Sequence, residues 1–522
     1  MTLSRRDALK LVSAGSLLSM RTGISSAETL PIAAGPFQGT RESLAAYQIP
    51  AWFADAKFGI WSHWGPQSAV EDGDWYARNM YMQGTPQYEY HLKTYGHPSK
   101  VGYKDLVPQF KAAQWDPEHL MDLYVKAGAK YFFSMGVHHD NFDLWNSKFQ
   151  PRWNSVATGP NKDIVGFWRN AARKRGLRFG VSEHLSNSFD WLAPAHLSDS
   201  KGALAGVPYD GTIPAFADLY HDYSDMPADF ARTAKAMGRV APVRWKQQYF
   251  RRVKDLLDQH QPDLLYTDGG IAMEEYSLAL VAHLYNLSAH RNSGKVDAVF
   301  FSKTAADCAH GTCALDRERG VLDDIAAQPW QTDTCVGEWH YKRGVKYKSA
   351  KKVIDLLVDI VSKNGNLLLN FPLPNSGLLD SEEIATLEGI TAWMAVNSEG
   401  IYSTRPWKIY GEGPSTKVTI AANGKEFDPN EGKKPDLTAK DIRFTRKGAA
   451  LYAFLQGWPA GETVITSLGT SSAHSVKIAG AHLLGYKESL RFRQAADGLH
   501  VTMPAERPAS ANIGIALRLN MA

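Results

Sequence analysis

Val137 to Trp145 reads VHHDNFDLW, with two adjacent histidines set between carboxylates and aromatics directly after an apolar run. Asp268 ends the run Leu264-Leu265-Tyr266-Thr267-Asp268 and is followed by Gly269 and Gly270, so a ligand can approach its carboxylate closely. His63 stands in FGIWSHWG, and Glu318 in Asp316-Arg317-Glu318-Arg319-Gly320. Two carboxylates on different loops can divide nucleophilic and acid/base work. Histidines can grip a polar ligand, or join a carboxylate around zinc. Adjacent residues on an extended chain face opposite sides, so His138 and His139 meet one ligand only where the chain bends. Each residue also has a plainer reading: Asp268 as a turn residue bonded to its own backbone, a lone histidine as a satisfied core group, Glu318 as part of a solvated charged loop. Glu183, Glu274, Glu275 and Glu338 are rival carboxylates, and spacing does not choose among them.

The elements around these residues repeat. Asp116-Pro117 opens a helix to Lys126, and the strand Tyr131 to Val137 follows. Asp163 caps a second helix ahead of a strand at Leu177 to Ser182; Trp245 to His260 is a third, ahead of Leu264 to Thr267; Lys351 to Lys363 is a fourth, ahead of Leu367 to Leu369. The strands are near-continuous apolar runs, as strands covered on both faces are. Repeated units of this kind predict a parallel sheet, either doubly wound or closed. His138-His139, Glu183-His184, Asp268 and Asn370 each follow or end a different strand. A (β/α)8 barrel gathers its site in this way, whereas a doubly wound sheet usually carries a Gly-rich phosphate loop, which is absent here. The expected fold is a (β/α)8-like barrel over 28–398. Beyond it, short alternating runs (416–420, 451–455, 476–478, 499–503, 513–519) and the turn pairs Asn423-Gly424, Lys447-Gly448 and Asp497-Gly498 predict an antiparallel β-sandwich over 399–522.

The chain is 44% hydrophobic and 21% charged with a net charge of +4, a globular balance that does not suggest a nucleic-acid partner. Aromatics make up 11%, including 15 Trp, which suits stacking on the flat faces of a ligand. Residues 1–27 read as an export signal: Arg5-Arg6 precede the short apolar stretch Leu11 to Met20 and the small residues Ser25-Ser26-Ala27. The expectation is a soluble protein exported by the twin-arginine route to a periplasm, with no membrane-spanning helix. Of three cysteines, Cys308 and Cys313 could close a small loop in an oxidising compartment.

Six stretches then occur in a telling order: Phe58 to Gly65 with Asp74-Trp75-Tyr76; HHDNFDLW with Trp153-Asn154; Tyr266-Thr267-Asp268-Gly269; Pro329 to Thr332 with Trp339-His340-Tyr341; Gly365 to Asn370; and Ile401 to Trp407. In this order they resemble glycoside hydrolase family 29, the exo-acting α-L-fucosidases, over about Tyr47 to Trp407. The resemblance implies a retaining glycosidase on a (β/α)8-like barrel, with no cofactor or metal and a fucosylated glycan as partner. It places the nucleophile on Asp268. It places His63, Trp75, His138 and His139 on positions that hold sugar hydroxyls, with Trp339 and Tyr341 near the pocket and Glu318 as the acid/base. An apolar wall would cover the C5 methyl of the sugar. Where many relatives carry a tyrosine-rich segment ending in Glu-Trp, this chain has Ser182-Glu183-His184 and later Asp190-Trp191, which leaves the exact sugar open.

Three other readings stay beside this one. The sugar could be a relative of fucose, such as α-L-galactose or a methylated fucose. The protein could be a metal-dependent hydrolase using His63, His138, His139 and a carboxylate. Or it could be a catalytically silent sugar-binding protein.

Overall fold

The computed structural model describes residues 30–309, 311–417, 436–459, 461–507 and 513–522. The signal segment 1–27, most of the strand expected at 416–420 and the Asn423-Gly424 turn lie outside the described residues.

Eight parallel strands build the first part of the molecule: β1 Phe58–Ser62, β2 Tyr131–Val137, β3 Arg178–Glu183, β4 Leu264–Thr267, β5 Val299–Ser302, β6 Ala314–Leu315, β7 Trp330–Cys335 and β8 Gly365–Asn370. Their order in the sheet is β6-β5-β4-β3-β2-β1-β8-β7, a nearly closed barrel. The ends meet along a seam where Asp316 bridges to Gln331, the Arg317 amide donates to the Gln331 carbonyl (3.0 Å), and the Arg319 amide donates to the Asp333 carbonyl (2.8 Å). At two residues, β6 is the thinnest part of the wall, paired with β5 only through Phe301–Ala314 and Ser302–Leu315. Every residue of β1, β2, β4, β5, β7 and β8 is buried, which is why β2, β4 and β5 read as near-continuous apolar runs rather than alternating ones, whereas β7 (WQTDTC) buries polar side chains.

Helices cover the outside. Pro117–Lys126 is capped by Asp116, whose carboxylate accepts from the amides of Glu118 and His119. Ile164–Lys174 is capped by Asp163, and Ala350–Ser362 by Ser349. The helix expected from Trp245 begins at Val243. The third strand runs one residue later than its apolar core, to Glu183, and the last reaches from Gly365 to Asn370. In both cases the polar end residue is buried and hydrogen-bonded at the barrel mouth, so the ladder continues past the point where hydrophobicity stops.

The second part holds β9 Arg405–Glu412, β10 Ile442–Lys447, β11 Ala450–Leu455, β12 Glu462–Ile465, β13 Ile478–Leu483, β14 Phe492–Gln494, β15 Leu499–Thr502 and β16 Ile515–Met521. They form antiparallel sheets ordered β13-β16-β11-β10-β9 and β12-β15-β14. Leu451, Leu455 and Leu517 from one sheet share a core with Ile465, Leu499 and Val501 from the other. Thr416 and Lys417, the first two residues of the strand expected at 416–420, belong instead to the 3-10 turn Pro414–Lys417, where Thr416 bonds back to the Gly413 carbonyl. These sheets dock on the barrel's last helices: Trp393 donates to the Gly514 carbonyl (2.9 Å), and the Ala516 amide donates to Asn397 (3.1 Å). Among the described residues, no helix is long and apolar enough to cross a membrane.

Candidate active site

The barrel mouth holds a pocket of about 230 Å³ lined by residues that follow the strands, among them Trp61, His63, Trp75, His138, His139, His184, Asp268, Lys303, Glu318 and Trp339. That volume is below the roughly 300 to 1,000 Å³ of sites for drug-sized ligands and suits one sugar ring.

The two adjacent histidines converge because the ladder slips between Met135 and Val137, where β2 pairs with β3, and the chain turns at once. The Asn141 amide bonds back to the His138 carbonyl, and Asn141 takes a left-handed φ of 67°. The two rings end 4.5 Å apart between centroids. The turn is locked from behind by Arg252. This fully buried guanidinium donates to both oxygens of Asp143, at 3.1 Å through Nε, and to the Asn141 side chain. Tyr103 donates to Asp140 at 2.6 Å. Gln67 accepts from the Ala77 amide and donates to His138 Nδ1 (2.9 Å), which leaves the Nε2 proton of a neutral His138 facing the pocket side. Both ring nitrogens of His139 face oxygen acceptors, the His184 carbonyl at 2.9 Å and Asp268 Oδ2 at 3.2 Å. Burial, and then the neighbouring imidazoles, hold His63 and His138 well below the usual histidine range, so both rings are neutral. The polar end of β8 positions the next pair. Asn370 accepts from the His63 amide (2.9 Å) and donates to the Trp339 carbonyl (2.9 Å).

Asp268 lies just past β4. Gly270 behind it sits at φ +90°, and a Cβ there would fall 2.0 Å from the Ser302 hydroxyl, so the DGG turn needs glycine. Lys303, just past β5, donates to Asp268 Oδ1 at 2.7 Å and to Glu318 Oε2 at 2.5 Å. Burial pushes the Asp268 carboxyl up, but the charge of Lys303 and the contacts of His139 and His184 outweigh it and hold the group well below the carboxylate range. Burial pushes Lys303 down, and the charges of Asp268 and Glu318 outweigh that too, so its ammonium is held well above its ordinary value. Glu318 accepts from the Trp339 indole at 3.0 Å.

The structure therefore brings together Asp268, Glu318, His63, Trp75, His138, His139 and Trp339. It does not bring Tyr341 to the wall, because that hydroxyl turns away to Asp380 (3.4 Å). Of the rival carboxylates, Glu183 is spent on the Leu185 amide and the Tyr249 hydroxyl, and burial raises it to about 7. Glu274 is at the surface with Lys246. Neither Glu275 nor Glu338 lines the pocket. Further residues line it: His184, which the sequence marked at a strand end, and Lys303, which it did not single out. Lys303 follows an apolar strand, the same signal that marked Asp268. His184, where the expected tyrosine-rich segment is missing, stands 3.7 Å from Asp268. Two trios, His63–His138–His340 and His138–His139–His184, each bring three ligating atoms within 4.8 Å of one another, so either could hold a metal ion. A disulfide joins Cys308 to Cys313 on the loop between Lys303 and Glu318.

With this geometry in place, residues 24–399 match the family model "Alpha-L-fucosidase". The chain belongs to the α-L-fucosidase family. It is a glycoside hydrolase, and residues 434–521 match the family's C-terminal domain. The enzyme is 27% identical to human tissue α-L-fucosidase over 95% of this chain and 94% of that one. It is 29% identical to human plasma α-L-fucosidase over 75% and 77%. Among solved structures, the Thermotoga maritima α-fucosidase in complex with fucose superposes with a TM-score of 0.67 at 25% identity, over 92% of this chain and all of that one.

Proposed function

We propose that the enzyme, exported to the periplasm, releases terminal α-L-fucosyl residues from glycans by a retaining double displacement. Asp268 is the nucleophile and Glu318 the acid/base. The observation that carries this reading is the single ammonium of Lys303 touching both carboxylates, at 2.7 and 2.5 Å. The two oxygens can be no further apart than those legs combined, which agrees with the roughly 5 to 5.5 Å of a retaining pair and leaves no room for an intervening water.

Ionised Asp268 attacks the anomeric carbon while Glu318, protonated in the substrate complex, gives its proton to the departing oxygen. The glycosyl–Asp268 ester and the freed aglycone result. Glu318, now a carboxylate, takes a proton from water; the hydroxide oxygen attacks the anomeric carbon, and Asp268 leaves. Lys303 keeps Asp268 charged while it waits, and the Trp339 indole holds Glu318 in place. Neutral His63 and His138 each offer one donor and one acceptor, which suits hydroxyls that do both. The fucose held by the Thermotoga maritima relative supports the same sugar here.

The test is the mature protein, dialysed against a chelator, on an aryl α-L-fucoside. The expected result is hydrolysis in which proton NMR sees α-fucose first, collapse of activity by several orders of magnitude in Asp268→Gly, and rescue by azide. β-Fucose as the first product would exclude retention. Full activity in Asp268→Gly would remove the nucleophile, and loss on chelation would favour the histidine trios as a metal site.

A further inference from the structure

Around the pocket, nearly every charge is answered by another. Lys303 sits between Asp268 and Glu318, and His340 donates to Asp74 at 2.5 Å. Arg239 is the exception. It lines the pocket, yet among the described residues no carboxylate lies within ion-pair reach of it, and its buried Nε has no hydrogen-bond partner. Its guanidinium lies against the glycine that follows the nucleophile: a Cβ on Gly269 would fall 2.1 Å from Arg239 Nη2.

This placement is built. Arg239 takes a left-handed φ of 57°, a conformation that a long side chain adopts only when its surroundings hold it there. Beside this turn lies Asp190, a buried carboxylate that the amides of Gly238, Arg239 and Val240 approach. The approach is close enough that a Cβ on Gly238 would fall 2.7 Å from Asp190 Oδ2. The Asp190 end of that contact is itself fixed, because Arg78 donates to the Trp191 carbonyl next in the chain. Met237 on the same loop also lines the pocket at 40% exposure, and Val240 and Val243 follow at 52% and 62%. Met237 therefore offers apolar surface beside one unpaired guanidinium, whereas the charges of Asp268, Lys303 and Glu318 in the same pocket pair with one another.

We propose that Arg239 and Met237 form the subsite for the aglycone, and that this subsite selects an anionic neighbour of the fucosyl unit: a sugar bearing a carboxylate or a sulfate ester. The guanidinium fork matches the oxygens of either anion, and its partial burial strengthens the contact. The apolar rim takes the flat face of the same sugar. This inference rests on the fucosidase reading above and adds the class of glycan it acts on.

The experiment uses matched aryl α-L-fucosides that differ in one ring substituent: carboxylate against carboxamide, and sulfate ester against its neutral methyl ether. The ratio of kcat/KM within each pair is compared in the parent, Arg239→Lys and Arg239→Gln. A preference for at least one anion of roughly tenfold in the parent, reduced in Arg239→Lys and gone in Arg239→Gln, is the expected result. No preference in the parent, or one that persists in Arg239→Gln, overturns the assignment. If the parent hydrolyses none of the four, the fucosidase reading fails. The same pairs titrated against Asp268→Gly, with and without Arg239→Gln, still read the charge preference as a ratio of Kd values. Equal ratios there overturn the subsite.

Discussion

At the scale of residues, Lys303 decides how the two carboxylates share one pocket. Burial alone would raise Asp268, and Lys303 is the largest influence opposing it. The sign of its removal follows. Without the ammonium, the folded-state pKa of Asp268 rises, and a smaller share is ionised at low pH. Lys303→Met, similar in length and uncharged, is expected to move the acid limb of the kcat/KM profile to higher pH and to lower its plateau by roughly a hundredfold. A lower plateau with an unmoved limb would show that Lys303 only supports the loop. Much of this site is legible in the sequence. His63, His138, His139, Asp268 and Asn370 stand where apolar runs end, and reactive residues at strand ends mark a barrel mouth. Lys303 stands in the same place, after Val299–Ser302, but that strand was not read from the sequence and Lys303 was missed with it. Arg239 carries no such mark. It sits on a loop far from any strand end, and only the approach of that loop to Asp190 and Gly269 gives it a role.

At the scale of elements, apolar runs and caps predicted β2 and β4 to the residue and the capped helix Pro117–Lys126 likewise. The β6 strand was invisible because two residues, Ala314–Leu315, show no periodicity. The convergence of His138 and His139 was equally hidden, since a register slip leaves no trace in residue types. The short β6 carries a consequence of its own. The residues that complete the seam, 316–319, include Glu318, so the acid/base candidate rides on the wall's weakest pairing. Local opening draws on such regions before the core yields. Heating is expected to abolish activity a few degrees below the loss of far-UV circular dichroism, and amides at 316–319 to exchange hydrogen ahead of those in β2 and β8. Coincident transitions, with uniform exchange, would refute this.

At the scale of the whole molecule, the C-terminal sheets pack on the helices Ala350–Ser362 and Ser381–Asn397, and none of their described residues lines the pocket. The Cys308–Cys313 bond is compatible with the periplasmic location proposed above. Cell fractionation is expected to find the parent in the periplasm and the Arg5→Lys, Arg6→Lys variant retained in the cytoplasm; equal partition would remove the signal from its role. The size of the pocket has a last consequence for a polymeric substrate. On the exo-acting reading proposed above, the cavity takes one terminal fucosyl ring at a time from branch tips, with the aglycone at its rim. Turnover then scales with the number of tips offered, whatever the length of the chain that bears them. Free sugar would accumulate while the polymer kept its length, and its solution would stay as viscous as before.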